Sequence, residues 1–143
     1  MSNVYDNILG LIGNTPLVKL NTVTKEIPAK IYAKLESYNP GHSTKDRIAL
    51  HIIENAEKKG LLKEDSVVVE TTSGNTGFSL AMVCIIKGYK CILAVSDKTK
   101  AEKIAYLKAL GATVYICPAN VPANDPRSYY EVAKRIASET PNS

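Results

Sequence analysis

From Ser66 onward the chain alternates between short β-branched runs and stretches of helical spacing, and this most narrows the folds open to it. Ser66–Glu70 reads SVVVE, Lys90–Val95 reads KCILAV and Thr113–Cys117 reads TVYIC, three short apolar strands. Between and after them, Thr76–Lys87, Lys100–Leu110 and Pro126–Glu139 have helical composition, the first two stopping at Gly88 and Gly111. Glycine is the residue that best ends a helix in a left-handed turn, and Pro126 suits a first helical turn. A β-α-β-α-β-α order predicts an α/β fold: a three-layer parallel sheet with helices on both faces and right-handed crossovers. In such sheets ligands lie beyond the carboxyl ends of the strands, which directs attention to the turns after Glu70, Val95 and Cys117.

Upstream of Ser66 the pattern changes. Pro16–Leu20 and Lys30–Glu36 alternate like two strands, and residues 37–43 carry the turn signal Asn39-Pro40-Gly41. A helix is expected from Thr44 to Lys59, ending at Gly60, with Ile48, Ala49, Ile52, Ile53 and Ala56 as its apolar face. Ser43 is placed to cap it, with Asp46 three residues on as the partner in a capping-box arrangement.

Bulk properties exclude several function classes. The chain has 143 residues, 45% hydrophobic and 22% charged, which suits one globular domain rather than a disordered or collagen-like chain. The net charge of +4 comes from scattered lysines and arginines with no aromatic-rich basic stripe, so no nucleic-acid partner is expected. Cys84, Cys91 and Cys117 sit in apolar runs, fit no metal template and read as buried free thiols of a reducing compartment. His42 and His51 lack a carboxylate or cysteine at ligand spacing, so no metal is expected. The first residues resemble no signal peptide and no apolar run reaches membrane-spanning length; a cytoplasmic location and no membrane partner are expected.

Two places carry chemistry. Lys45 falls in the first turn of a helix, where the macrodipole disfavours a cation. A neutral lysine amine is the nucleophile that forms Schiff bases, although Asp46 alone could also compensate an ordinary exposed lysine. The second place is Thr71-Thr72-Ser73-Gly74-Asn75-Thr76-Gly77, joining the SVVVE strand to the next helix. N–H groups at a helix start bind carboxylate or phosphate, and the hydroxyls and the Asn75 amide add donors. The segment has neither the lysine of a phosphate loop nor a dinucleotide fingerprint; a plainly capped turn would have the same composition.

Taken together, these segments resemble one family. Asn39-Pro40-Gly41-His42-Ser43-Thr44-Lys45-Asp46-Arg47 is similar to the N-P-G-G-S-x-K-D-R motif of cysteine synthases and cystathionine β-synthases, fold-type II pyridoxal-phosphate enzymes. Thr72 to Gly77 resembles their T-S-G-N-T-G loop, Ile12 to Leu17 their I-G-N-T-P-L segment, and Lys108 to Ala112 part of their L-K-A-L-G-A segment. The motifs occur in family order over nearly the whole chain.

The resemblance implies pyridoxal 5'-phosphate as cofactor, with Lys45 as Schiff-base lysine and acid/base and Asn75 at the phenolic oxygen of the cofactor ring. It also implies that Thr72, Ser73, Gly74, Asn75 and Thr76 hold the substrate α-carboxylate. The implied reaction is β-replacement: O-acetylserine or serine loses acetate or water, and sulfide or a thiol such as homocysteine takes its place, giving cysteine or cystathionine. A homodimer is the implied assembly. A serine/threonine dehydratase-type lyase is the alternative on this fold, but Thr44-Lys45-Asp46-Arg47 and Asn75-Thr76-Gly77 follow the synthase pattern. A non-catalytic small-anion or amino-acid binding module is the alternative of another class.

The chain departs from the pattern at three places: His42 replaces the second glycine, Thr71 stands where many relatives have proline, and Ser96-Asp97-Lys98-Thr99-Lys100 replaces an M-P-x-x-M-S segment. Members of the family are also longer, and their glycine-rich phosphate loop has no counterpart here. The expected organisation is residues 1–38 as strands that pack on a second domain, and 39–143 as the cofactor- and substrate-binding domain of a longer enzyme.

Overall fold

The computed structural model describes residues 4–72 and 74–143. Among the described residues, five strands and four α-helices follow in the order β1 (Leu17–Lys19), β2 (Tyr32–Lys34), α1 (Lys45–Lys58), β3 (Val67–Thr71), α2 (Asn75–Lys87), β4 (Lys90–Ser96), α3 (Ala101–Ala109), β5 (Thr113–Cys117) and α4 (Tyr129–Glu139). β3, β4 and β5 form a parallel sheet in that order, as the alternation predicted, with Val69 opposite Ile92 and Ala94 opposite Tyr115. β1 and β2 form a separate antiparallel pair in which Val18 faces Ala33.

Helices cover both faces of the parallel sheet. On one face Leu80, Val83 and Cys84 of α2 pack with Ala49 and Ile53 of α1, Leu93 and Val95 of β4, and Leu107 of α3. On the other, Val132, Ala133 and Ile136 of α4 close over Ala94 and Cys117. α2 buries Leu80, Ala81, Met82, Val83 and Cys84 in succession. A helix apolar all round is one enclosed on several sides, and α2 lies between the sheet and α1. Gly88 (φ +80°) and Gly111 (φ +82°) adopt the left-handed turn at the ends of α2 and α3, a conformation that costs glycine little. All three cysteines are buried and free. Among the described residues no helix is long and apolar enough to cross a membrane.

Three local expectations need correction. α4 begins at Tyr129 rather than at Pro126, because the Ser128 hydroxyl accepts the Glu131 N–H at 3.2 Å and supplies the cap. Ile48 and Ile52 of α1 are 43% and 50% exposed, and the inward stripe is Asp46, Ala49 and Ile53. Asp46 does not close a capping box on Ser43. Its carboxylate reaches past the cap to the Gly41 N–H at 2.5 Å and accepts the Ser79 hydroxyl at 2.6 Å.

Candidate active site

The turn before α1 and the turn before α2 meet at one hydroxyl. Ser43 Oγ accepts the backbone N–H of Lys45 at 3.1 Å and the side-chain amide of Asn75 at 3.3 Å. The starts of two helices, each the positive end of its dipole, are thereby brought together. Ser79, one turn into α2, reinforces the junction through its bond to Asp46, and its hydroxyl also approaches the Asn75 carbonyl at 3.0 Å.

Thr72 organises the second turn. Its hydroxyl oxygen accepts the N–H of Gly77 at 3.0 Å and of Gly74 at 3.2 Å, so the cap of α2 comes from the strand end rather than from the residue before the helix. The absence of a side chain at Gly77 matters here, since a Cβ there would fall on the Thr72 side chain.

A cavity of about 370 Å³ opens beside this turn, lined by Gly41 and His42, by Thr72, Gly74 and Asn75, by Thr99, Lys103 and Tyr106, and by Phe78 and Val95. It lies beyond the carboxyl ends of β3 and β4; the turn after Cys117 takes no part. Of the residues expected to bind substrate, Thr72, Gly74 and Asn75 line it, while Thr76 does not; Ser73 lies outside the described residues. Lys45 is half-buried and absent from the lining. It is joined to the turn through Ser43, two residues earlier in the chain.

Sequence reasoning missed the support behind Lys45. The Glu36 carboxylate receives Arg47 on both oxygens, at 2.8 and 2.9 Å, the Thr15 hydroxyl at 2.8 Å and the Asn39 amide at 2.9 Å. Asn39 Oδ1 in turn accepts the Gly13 N–H at 2.9 Å. Thus the Ile12–Leu17 segment, the loop before α1 and Arg47 are one hydrogen-bonded unit that braces the start of α1. Glu36 itself lies outside the recognised motifs; the unpaired charge of Arg47 was the available signal.

Hydrogen bonds from Arg47, then Thr15 and Asn39, hold the Glu36 carboxyl down to about 2 from its ordinary 4.5. A carboxyl depressed in the folded state contributes stability that is complete above its unfolded value and fades as pH falls toward its folded one. Stability is therefore expected to decline between pH 4.5 and 2 in part through this group, and Glu36→Gln should flatten that portion of the profile. Denaturant midpoints measured across this range check it; identical slopes in wild type and variant would contradict the assignment.

The fold and this site together define an α/β domain with a lysine at the start of one helix and a cavity-lining turn at the start of the next. The pyridoxal-phosphate-dependent enzyme family matches residues 8–143, and the chain belongs to it. It is 46% identical to cystathionine β-synthase of Apis mellifera over 99% of its own length and 29% of that protein. It is 45% identical to cysteine synthase of a Flavobacterium strain, over 97% of its length and 44% of that protein. Its structure superposes on a hydrogen sulfide-producing enzyme from Fusobacterium nucleatum with a TM-score of 0.87 and 40% identity, over 99% of this chain and 45% of that one. The chain thus spans less than half the length of these relatives. The residue types present are ones the family's cofactor could use: Asn75 offers an amide at the cavity, and Lys45 offers an amine at the adjoining helix start, outside the cavity lining.

Proposed function

We propose that this chain is the lysine-bearing part of a β-replacement enzyme acting on O-acetylserine or serine, with sulfide or a thiol such as homocysteine as the incoming group. The observation that carries the reading is the Ser43 hydroxyl shared between Lys45 and Asn75. It places the amine-bearing helix start beside the turn that would receive an amino acid's carboxylate. In this reading Lys45 holds the cofactor and moves the substrate α-proton. Thr72, Ser73, Gly74, Asn75 and Thr76 orient the substrate through its carboxylate, and Asn75 also donates to the cofactor's ring oxygen. When bound, pyridoxal phosphate supplies the electron sink that lets the β-substituent leave.

The β1–β2 pair supports a further part of the proposal, that residues 1–38 pack against another region of a longer protein, which works as a homodimer. Leu17 and Val18 are 60% and 45% exposed on opposite faces of β1, so the strand pair presents apolar surface on both sides. The discriminating experiment supplies the cofactor-loaded protein with O-acetylserine and sulfide, and separately with serine and homocysteine. Formation of cysteine or cystathionine supports the reading. Pyruvate as the sole product would favour a dehydratase instead.

A further inference from the structure

We infer that His42 is a catalytic residue of this site, the base that takes the proton from the incoming thiol. The inference rests on the β-replacement reading above and adds a residue that the family's motif, with glycine at this place, does not provide.

Three observations lead to it. His42 has φ +55°, a left-handed conformation that residues with a Cβ adopt infrequently. The segment that imposes it is pinned at several points: the His42 N–H donates to the Asn39 carbonyl at 2.8 Å, the Gly41 N–H to buried Asp46, and Ser43 receives Lys45 and Asn75. An uncommon backbone state, held on both sides at a cavity, is a mark of a placed side chain. The ring is placed as well. Nδ1 lies 2.9 Å from the Ser37 carbonyl oxygen, and since a carbonyl only accepts, Nδ1 carries the hydrogen. In the neutral ring Nε2 is then bare and is the proton acceptor. Finally, His42 lines the cavity together with Thr72, Gly74, Asn75, Lys103 and Tyr106, and no carboxylate is among the described lining residues. The imidazole is the one neutral base that the described lining offers to a molecule entering beside the carboxylate turn.

The step balances without an oxidant. The β-carbon that the sulfur joins has already lost its acetate or hydroxyl, leaving a carbon–carbon double bond. As the C–S bond forms, the S–H bond breaks and its proton passes to Nε2, while the electron pair of that double bond would be taken up by bound pyridoxal phosphate as electron sink. The protonated ring, which is exposed, returns its proton to water.

The test compares nucleophiles in the cofactor-loaded protein. Sulfide is already largely ionised near neutral pH and needs a base little; homocysteine needs one. His42→Asn keeps a side chain that tolerates the left-handed backbone, and His42→Gly removes the conformational cost altogether, so at least one folded variant is expected. Both should lose roughly a hundredfold in kcat/KM with homocysteine, the scale of a general base, and far less with sulfide. A second readout needs no turnover. The chain has 2 histidines, so nitrogen-15 NMR with His51→Gln for assignment reads the His42 tautomer directly. Nδ1–H with bare Nε2 is expected. Equal losses with both nucleophiles, turnover of homocysteine within twofold of wild type, or a ring protonated on Nε2 alone would each overturn the inference. A wild-type protein without β-replacement would overturn the underlying functional reading instead, and is told apart because the tautomer arm still reports.

Discussion

Replacing Lys45 with alanine is expected to abolish β-replacement in the cofactor-loaded protein, with a loss of roughly 10³-fold or more in kcat, because one side chain would lose both its covalent and its proton-transfer role. Arginine should not rescue it. Its guanidinium stays protonated at any pH the fold survives and cannot attack an aldehyde carbon. Lys45 sits at the first position of α1 with its backbone N–H on Ser43, so neither substitution removes a contact that holds the helix in place. Two measurements separate a chemical from a structural effect. After borohydride reduction the wild type should gain the mass of one cofactor, whereas the alanine variant should not. The denaturation midpoints of the two should agree closely. Turnover near the wild-type rate in either variant would exclude the role given to Lys45.

The largest stability effect is expected at the next residue. Asp46 is fully buried, and its two oxygens satisfy the Ser79 hydroxyl and the Gly41 N–H. Asp46→Ala would take the acceptor from the partly buried Gly41 N–H and leave the buried Ser79 hydroxyl only the Asn75 carbonyl, 3.0 Å away. At about 1–3 kcal/mol per weakened group, a loss of roughly 3 kcal/mol is expected. For a domain of this size that corresponds to a fall of about 10 °C in Tm. Asp46→Asn should recover only part, since one amide end presents N–H groups to an N–H donor. The Asp46→Ala/Ser79→Ala double mutant should cost less than the sum of the two single changes, because the bond between the two side chains is then lost only once. A loss below about 1 kcal/mol for Asp46→Ala would show that water or rearrangement replaces these bonds. The same variant should loosen residues 39–43, since Gly41 is one of their anchors, and so weaken whatever His42 contributes.

The parallel order of β3, β4 and β5 was legible because each strand is a short apolar run and the connections between them are helical and end in glycine. That pattern is local, and the physics that reads it, side-chain periodicity and backbone conformational cost, is local too. The start of α4 was misplaced for the same kind of reason. Pro126 and Ser128 both favour a helix start, and the choice fell to Ser128 because its hydroxyl also donates to the Ala123 carbonyl at 2.7 Å, tying the cap to the preceding loop.

By itself the sequence determined the α/β order, the family and the two motif segments proposed to carry the binding and the chemistry, since these depend on residue type and spacing along the chain. Only the tertiary structure decided how the segments meet. Glu36 as the acceptor for Arg47, Thr15 and Asn39, Asp46 bridging Gly41 and Ser79, and Ser43 joining Lys45 to Asn75 are contacts between residues up to 33 positions apart. Residue spacing does not encode them, because a side-chain hydrogen bond depends on where whole helices dock, and α1 docks by Ala49 and Ile53 rather than by the equally apolar Ile48 and Ile52. That docking puts His42, Lys103 and Tyr106 in the lining of one cavity, and it explains why a histidine in a glycine's place reads as a mere departure along the chain and as a candidate base in space.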